Sequence, residues 1–131
     1  MIGLDSNILV RYLTQDDPAQ SKRAADIIEN RLSPTNPGFL SVVVIAETVW
    51  VLDRAYRFAD EDIVAAIERT LQIDVLVVEN EAEVFTAMIA LAEGVGSFPD
   101  ALIGALGAGA GCAATLTFDR KALRLPDFEL A

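Results

Sequence analysis

The chain has 131 residues, the length of one domain with a core of ordinary size, and its hydrophobic fraction of 53% excludes intrinsic disorder. It has 20 acidic and 10 basic side chains, and a net charge of −10 argues against binding nucleic acid through a broad cationic face. It has no histidine and a single cysteine, Cys112, which excludes histidine-based catalysis, histidine-ligated zinc and internal disulfides. Carboxylates, hydroxyls and metal ions that prefer oxygen ligands remain for catalysis.

Short strands and helices are predicted to alternate in the first part of the chain. Asp17 and Pro18 are typical of a helix N-terminus, and Ser41 is a second candidate cap before a long apolar run. In chain order we predict a strand at 1–4, a helix at 7–13, a helix from 18 to about 32, a strand at 39–40 and a helix from 42 to about 56.

The alternation continues to the end of the chain. We predict a helix capped by Asp60, a strand at 75–78, a helix at 81–93, a helix from about 99 into the glycines at 107–111 and a strand at 114–118. The pattern indicates an α/β fold, a single domain over 1–131 in which helices flank a short, mostly parallel sheet (α/β/α).

The longest uncharged stretch, 101–118, just reaches the length of a membrane span, but its glycines divide it into a helical and a strand-like part. The N-terminus meets an acid at once and lacks the basic segment of a signal peptide. We therefore expect no membrane association. With only one cysteine, a reduced, cytoplasmic location is the simpler expectation.

Most of the acids are typical of solvated helix faces and caps, but Glu47 is not. It lies in FLSVVVIAETVWVL, which is predicted to form a helix that is apolar on nearly every side. A buried carboxylate without a partner is costly, so Glu47 either faces a cleft or pairs with a cation. Arg11 and Arg54 are the candidate cations.

Three further acids occupy related positions. Asp5 and Asp119 each follow a predicted strand, at the edge where open parallel sheets bind ligands, although aspartate also caps helices at such turns. Asp100 opens a helix after Ser97, in a spacing that by itself predicts a capping box. We expect all four acids at one rim of the sheet, where a divalent metal would relieve their repulsion. Oxygen-only ligands favour Mg²⁺ or Mn²⁺.

Four segments in order resemble the PIN-domain ribonucleases, especially the VapC-type toxins of bacterial toxin–antitoxin pairs. They are MIGLDSNILVRYLTQDDP, LSVVVIAETVWVL, SFPDALIGA and TLTFDRKAL. The resemblance implies a catalytic, metal-binding site made of Asp5, Glu47, Asp100 and Asp119, with Asn7 and Thr117 orienting ligands or water. Many relatives carry an additional acid at the position of Ser97, so the metal affinity or stoichiometry of this chain is expected to differ.

The resemblance also implies a reaction, in which the metal activates a water for in-line attack on an RNA phosphodiester and no histidine base is needed. The substrate would be single-stranded or looped RNA. Arg11, about one and a half turns after Asp5, and Arg120, in the RKALR segment, are candidates for binding phosphate.

The same resemblance implies two protein partners. One is a cognate antitoxin, which would lay a basic side chain into the acidic groove. The other is a second copy of the chain in a homodimer, with Trp50, Tyr56 and the helix at 81–93 as candidate contact surfaces, unless these apolar residues are simply core.

Two other functions stay open. Loss of one of the four acids would favour a PIN-like module that binds RNA or a partner without cutting, and none is lost. A magnesium-dependent phosphohydrolase of the haloacid-dehalogenase type would need a second acid two residues after Asp5, where this chain has Asn7. The glycine run at 107–111 follows a helix instead of opening one, which argues against a phosphate-binding loop.

Overall fold

Three short parallel strands form a sheet in the first part of the chain. In the computed structural model, which describes residues 1–131, they are β1 (Ile2–Gly3), β2 (Gly38–Leu40) and β3 (Leu76–Val78), in the order β1-β2-β3. Because the strands run in the same direction, their carboxyl ends share one edge of the sheet. The sheet belongs to a compact unit, Met1–Glu79, and a second unit comprises Asn80–Ala131.

The helices of the first unit begin at, or one residue before, the positions that the sequence predicts. They are α1 (Ser6–Thr14), α2 (Pro18–Asp26), α3 (Val42–Arg54) and α4 (Asp60–Leu71). The Asp17 side chain accepts a hydrogen bond from Gln20 N at 3.0 Å, and Ser41 Oγ accepts one from Val44 N at 3.1 Å, so both predicted caps are confirmed. A π-helical turn, Ile27–Arg31, follows α2 and completes the predicted extent of that helix.

The prediction that Asp60 caps α4 is wrong. Ala59 occupies the cap position, with an extended backbone and no side-chain hydrogen bond to the helix, and Asp60 is the first helical residue. Asp60, Glu61 and Asp62 all lie in the first turn, where negative side chains favour the positive end of the helix dipole. The N-terminus of α4 is therefore stabilised by the charge of its first turn, whereas those of α2 and α3 are stabilised by a capping side chain.

Large apolar side chains fill the space between the sheet and the helices of this unit. Leu9, Leu40 and Leu52 are its largest fully buried residues, supplied by α1, β2 and α3. Packing is close at Gly38 in the central strand, where a Cβ would lie 2.8 Å from Leu32 Cδ1 and 3.0 Å from the side chains of Leu4 and Leu76. The central strand therefore begins at a residue without a side chain.

The second unit also combines helices with parallel strands. Its elements are α5 (Glu81–Ala92), α6 (Phe98–Gly109), β4 (Thr115–Thr117), a 3₁₀ turn (Arg120–Arg124) and β5 (Phe128–Leu130). β4 pairs with β5, a strand that the sequence did not predict. α5 packs on α6, and their buried faces include Val84, Met88 and Phe98. The α/β class with short parallel sheets is confirmed. No helix has the length and apolar character that crossing a membrane requires.

Candidate metal-binding site

Asp5 lies just past the carboxyl end of β1 and caps α1. Its backbone is extended, and its Oδ1 accepts a hydrogen bond from Ser6 N at 2.7 Å. The cap uses only Oδ1, and the side chain is exposed to solvent. The capping role and a ligand-binding role are therefore compatible at this residue.

Glu47 lies on the solvent-facing side of α3, so its expected apolar surroundings are not found. The helix buries one face, with Ile45, Val49 and Leu52, whereas Glu47 is exposed. Neither candidate cation pairs with it. Arg54 Nε lies 3.6 Å from Asp53 Oδ2, and Arg11 is bound to Asp16. The sequence left two alternatives for this carboxylate, a position facing a cleft or an ion pair. In the structure the carboxylate is open to solvent and forms no ion pair.

Ser6 connects the two carboxylates. Its side chain is only 6% exposed, its hydroxyl donates a hydrogen bond to Glu47 Oε1, and its Oγ lies 3.4 Å from Asp5 Oδ1. One hydroxyl proton serves one acceptor well, so the contact with Glu47 is the principal one. Asp5 and Glu47 thus reach one point from α1 and α3, the helices that follow two paired strands.

Sequence reasoning overlooked Ser6, although a signal was present. Ser6, Leu9 and Val10 are spaced three and four residues apart, which places a small polar side chain on the buried face of α1. A buried hydroxyl needs a hydrogen-bond partner, and the pattern alone could have raised that question. It could not have identified Glu47 as the partner.

Arg11 is held in a polar cluster on the same unit. Its Nη1 lies 2.9 Å from Asp16 Oδ1 and donates to Tyr56 Oη at 2.9 Å, while Nε donates to Gln20 Oε1 at 2.8 Å. Hydrogen bonds from Tyr56 and Thr14, followed by that from Arg11, hold the pKa of the Asp16 carboxyl well below its usual range. Asp16 in turn raises the pKa of the Arg11 guanidinium. Arg11 is therefore pre-positioned, but its charge is largely compensated.

In the second unit, Asp100 and Asp119 both lie at the start of a helical segment. Asp100 N donates to Ser97 Oγ at 3.2 Å, which is the backbone half of the predicted capping box, and the half-buried Asp100 carboxylate makes no hydrogen bond. Asp119 caps the 3₁₀ turn by accepting from Lys121 N at 2.9 Å. Thr117 Oγ1 accepts from Asp119 N at 3.0 Å, so it orients the Asp119 backbone.

The remaining predicted site residues make fewer contacts. Asn7 and Arg120 are exposed, their side chains make no hydrogen bond, and Arg120 forms no ion pair. Within each unit, no group of three or more Asp, Glu or Cys side chains is arranged to hold a metal ion. The structure brings Asp5 to Glu47, and Thr117 to Asp119. The complete four-acid site stays a prediction.

Comparison with protein families matches residues 2–128 to the PIN domain. The chain belongs to the PIN domain family. PIN domains are generally metal-dependent nucleases and typically use divalent metal ions. A search among curated proteins found none that matches.

The donor set of this PIN domain fits such a metal. The carboxylates of Asp5 and Glu47 are exposed, and both contact the same Ser6 hydroxyl. Carboxylate oxygens are the ligands that Mg²⁺ and Mn²⁺ prefer, whereas the chain has no histidine and only an exposed Cys112 for softer metals. Asp5 and Glu47 are thus the residues of the first unit that would hold the ion.

Proposed function

We propose that this PIN domain is a Mg²⁺- or Mn²⁺-dependent endoribonuclease. The observation that carries the proposal is the convergence of Asp5 and Glu47 on the Ser6 hydroxyl, at the edge where β1 and β2 end. Asp5 and Glu47 bind the ion, Ser6 positions Glu47, and Asp100 and Asp119 supply further carboxylates.

The bound ion would lower the pKa of a water molecule and polarise a phosphodiester. The protein residues act around that chemistry. Thr117, which already holds the Asp119 backbone, and Asn7, which lies on the first turn of α1, orient the attacking water. A proton acceptor of the histidine type is not required, in agreement with the composition of the chain. Arg120 contacts a substrate phosphate.

We further propose that the protein is the toxin of a type II toxin–antitoxin pair, as its resemblance to the VapC-type toxins implies. The net charge of −10 suits a cognate antitoxin that presents a basic side chain to the carboxylates.

A homodimer would bury apolar side chains that this chain leaves in solvent, since Trp50 is 57% exposed and Phe85, on α5, is 50% exposed. Sedimentation of the isolated chain at the mass of two copies would support the homodimer, and sedimentation at the mass of one copy would contradict it.

The nuclease proposal is tested by incubating the protein with an RNA pool and Mg²⁺, with and without chelator. We expect cleavage that chelator stops and that Asp100→Asn reduces at least about 100-fold, because a ligand contributes more than the outer-shell groups that already tune metal sites. Asp127→Asn, which makes the same charge change elsewhere in the second unit, is the matched control and should retain activity.

Each other outcome identifies an alternative. Cleavage unaffected by Asp100→Asn would show that the assigned site is wrong. RNA binding without cleavage would identify a non-catalytic module. Hydrolysis of a small phosphomonoester without nuclease activity would identify a phosphohydrolase.

A further inference from the structure

A cleft of about 210 Å³ lies between α1 and α2 in the first unit. Its lining includes four polar side chains, those of Asn7, Arg11, Gln20 and Arg23. Ile8, Ala24 and Ile27 complete the lining with apolar surface. Two arginines therefore line one cleft in a protein whose net charge is −10.

Most of the polar groups that remain available in this cleft are hydrogen-bond donors, and the unpartnered Asn7 carboxamide adds an acceptor oxygen as well as a donor nitrogen. Arg11 binds Gln20 Oε1 through Nε and Asp16 through Nη1, which leaves Arg11 Nη2 and the Gln20 amide nitrogen without partners. Arg23 is exposed and makes no ion pair, so its positive charge is uncompensated. Such a set of donors around one free cation is suited to an anion.

Helix α1 contributes to both places, because Asp5 caps it and three of its residues, Asn7, Ile8 and Arg11, line the cleft. Asn7 follows Asp5 by two residues, and Arg11 lies about one helical turn, or about 5.4 Å, beyond Asn7. A ligand that contacts the carboxylates and this cleft must therefore be elongated and carry negative charge beside the reacting bond. A polynucleotide backbone has both properties, and the apolar lining offers contact area for a base or ribose.

We propose that this cleft binds the RNA backbone at a phosphate neighbouring the one that is cut, with Arg23 as its unpaired cation. The proposal rests on the proposed nuclease function. The short distance along α1 from Asp5 to Asn7 favours RNA over an acidic peptide of a partner protein, which would need the charge of the cleft but not a position near the carboxylates.

The test measures how the binding of a short fluorescein-labelled oligouridine depends on KCl, in chelator so that no divalent ion competes. For single strands, the logarithm of the affinity falls by about 0.7 per phosphate contact for each tenfold rise in salt. Arg23→Gln should lower the slope by about that amount, which amounts to roughly a threefold smaller loss of affinity between about 50 and about 200 mM KCl. Arg31→Gln is the matched control, because Arg31 is also exposed and unpaired but does not line the cleft.

An unchanged slope in Arg23→Gln, or equal changes in both variants, overturns the proposal. The proposal is also overturned if Arg23→Gln weakens binding of a labelled oligoglutamate but not of the oligouridine, since the occupant of the cleft would then be an acidic peptide. If the wild-type protein cuts RNA while Arg23→Gln keeps the wild-type slope, the cleft assignment fails and the nuclease function stands. A wild-type protein that neither binds nor cuts RNA contradicts both.

Discussion

The Ser6 hydroxyl is the group on which the position of the Glu47 carboxylate depends. Glu47 is exposed on α3 and forms no ion pair, so the hydrogen bond from Ser6 is the one polar contact that orients its carboxylate. A residue that orients a metal ligand influences metal affinity strongly although it does not touch the ion.

We expect Ser6→Ala to weaken Mn²⁺ binding about 10-fold, because the Glu47 carboxylate loses its orienting donor. Ser6→Thr keeps the hydroxyl and should restore most of the affinity. Electron paramagnetic resonance titration of free Mn²⁺ measures both variants. Ser21→Ala is the control, since Ser21 is also buried but donates to the Arg11 carbonyl at 3.1 Å. Equal affinities in wild type and Ser6→Ala would refute the positioning role.

Asp16 allows a prediction about pH. Its pKa in the folded protein is lowered by hydrogen bonds from Tyr56, Thr14 and Arg11, so its ionised form contributes stability. That contribution is complete above the unfolded-state value of about 3.9 and is lost as the pH falls from there through the lower folded-state value. Urea unfolding should therefore find Asp16→Asn less stable than wild type at pH 7, with a difference that narrows in stronger acid.

The control for this measurement is Asp53→Asn. Asp53 is exposed and meets only its neighbour Arg54, at 3.6 Å. The free energy of unfolding of this variant should differ little from that of the wild type at any pH. A stability difference for Asp16→Asn that widens on acidification would contradict the argument.

At the scale of elements, the helices show how far local sequence rules reach. The caps at Asp17 and Ser41 follow from residue type and spacing, and the structure confirms both. The cap of α4 is one residue earlier than predicted, and residue type alone could not fix it, because aspartate is favoured both as a cap and in the first turn of a helix. β5 was missed because three residues, FEL, carry no periodicity, and only pairing with β4 makes them a strand.

The observed cap of α4 predicts that Ala59→Ser stabilises the protein. Ala59 already has the extended backbone of a cap, with φ −66° and ψ 157°, and lacks only an acceptor side chain. Serine should raise the free energy of unfolding by about 1 kcal/mol. Asp60→Ala should cost about 0.5 kcal/mol or less, since Asp60 interacts only with the helix dipole. Urea unfolding measures both variants. A large loss of stability in Asp60→Ala together with no gain in Ala59→Ser would identify Asp60 as the cap instead.

For the whole molecule, a bound divalent metal couples the site to global stability. Mn²⁺ that binds only the folded chain should stabilise it by about 2.7 kcal/mol at a concentration about 100 times its Kd. Asp5→Asn should remove this effect but keep the helix cap, because asparagine caps as well as aspartate. Glu61→Gln, which removes an exposed acid from α4, should still respond to the metal.

Thermal unfolding with and without Mn²⁺ measures this coupling. Addition of excess chelator should return the wild-type melting temperature to that of the metal-free protein. Equal stabilisation of wild type, Asp5→Asn and Glu61→Gln would indicate diffuse binding to an acidic surface instead of a site.

The sequence by itself determined the α/β class, most helix boundaries and the helix caps at Asp17, Ser41 and Ser97, although not the cap of α4, because periodicity and capping are local properties. It also determined that any metal must be oxygen-ligated, because the chain has no histidine and one cysteine. Only the tertiary structure decided that Glu47 faces solvent, that Ser6 joins it to Asp5, and that Tyr56 joins the pair of Arg11 and Asp16. The physical reason is separation along the chain, since Ser6 and Glu47 are 41 residues apart and Tyr56 and Asp16 are 40 apart. Strand pairing and helix packing bring such residues together, and no local pattern encodes that contact.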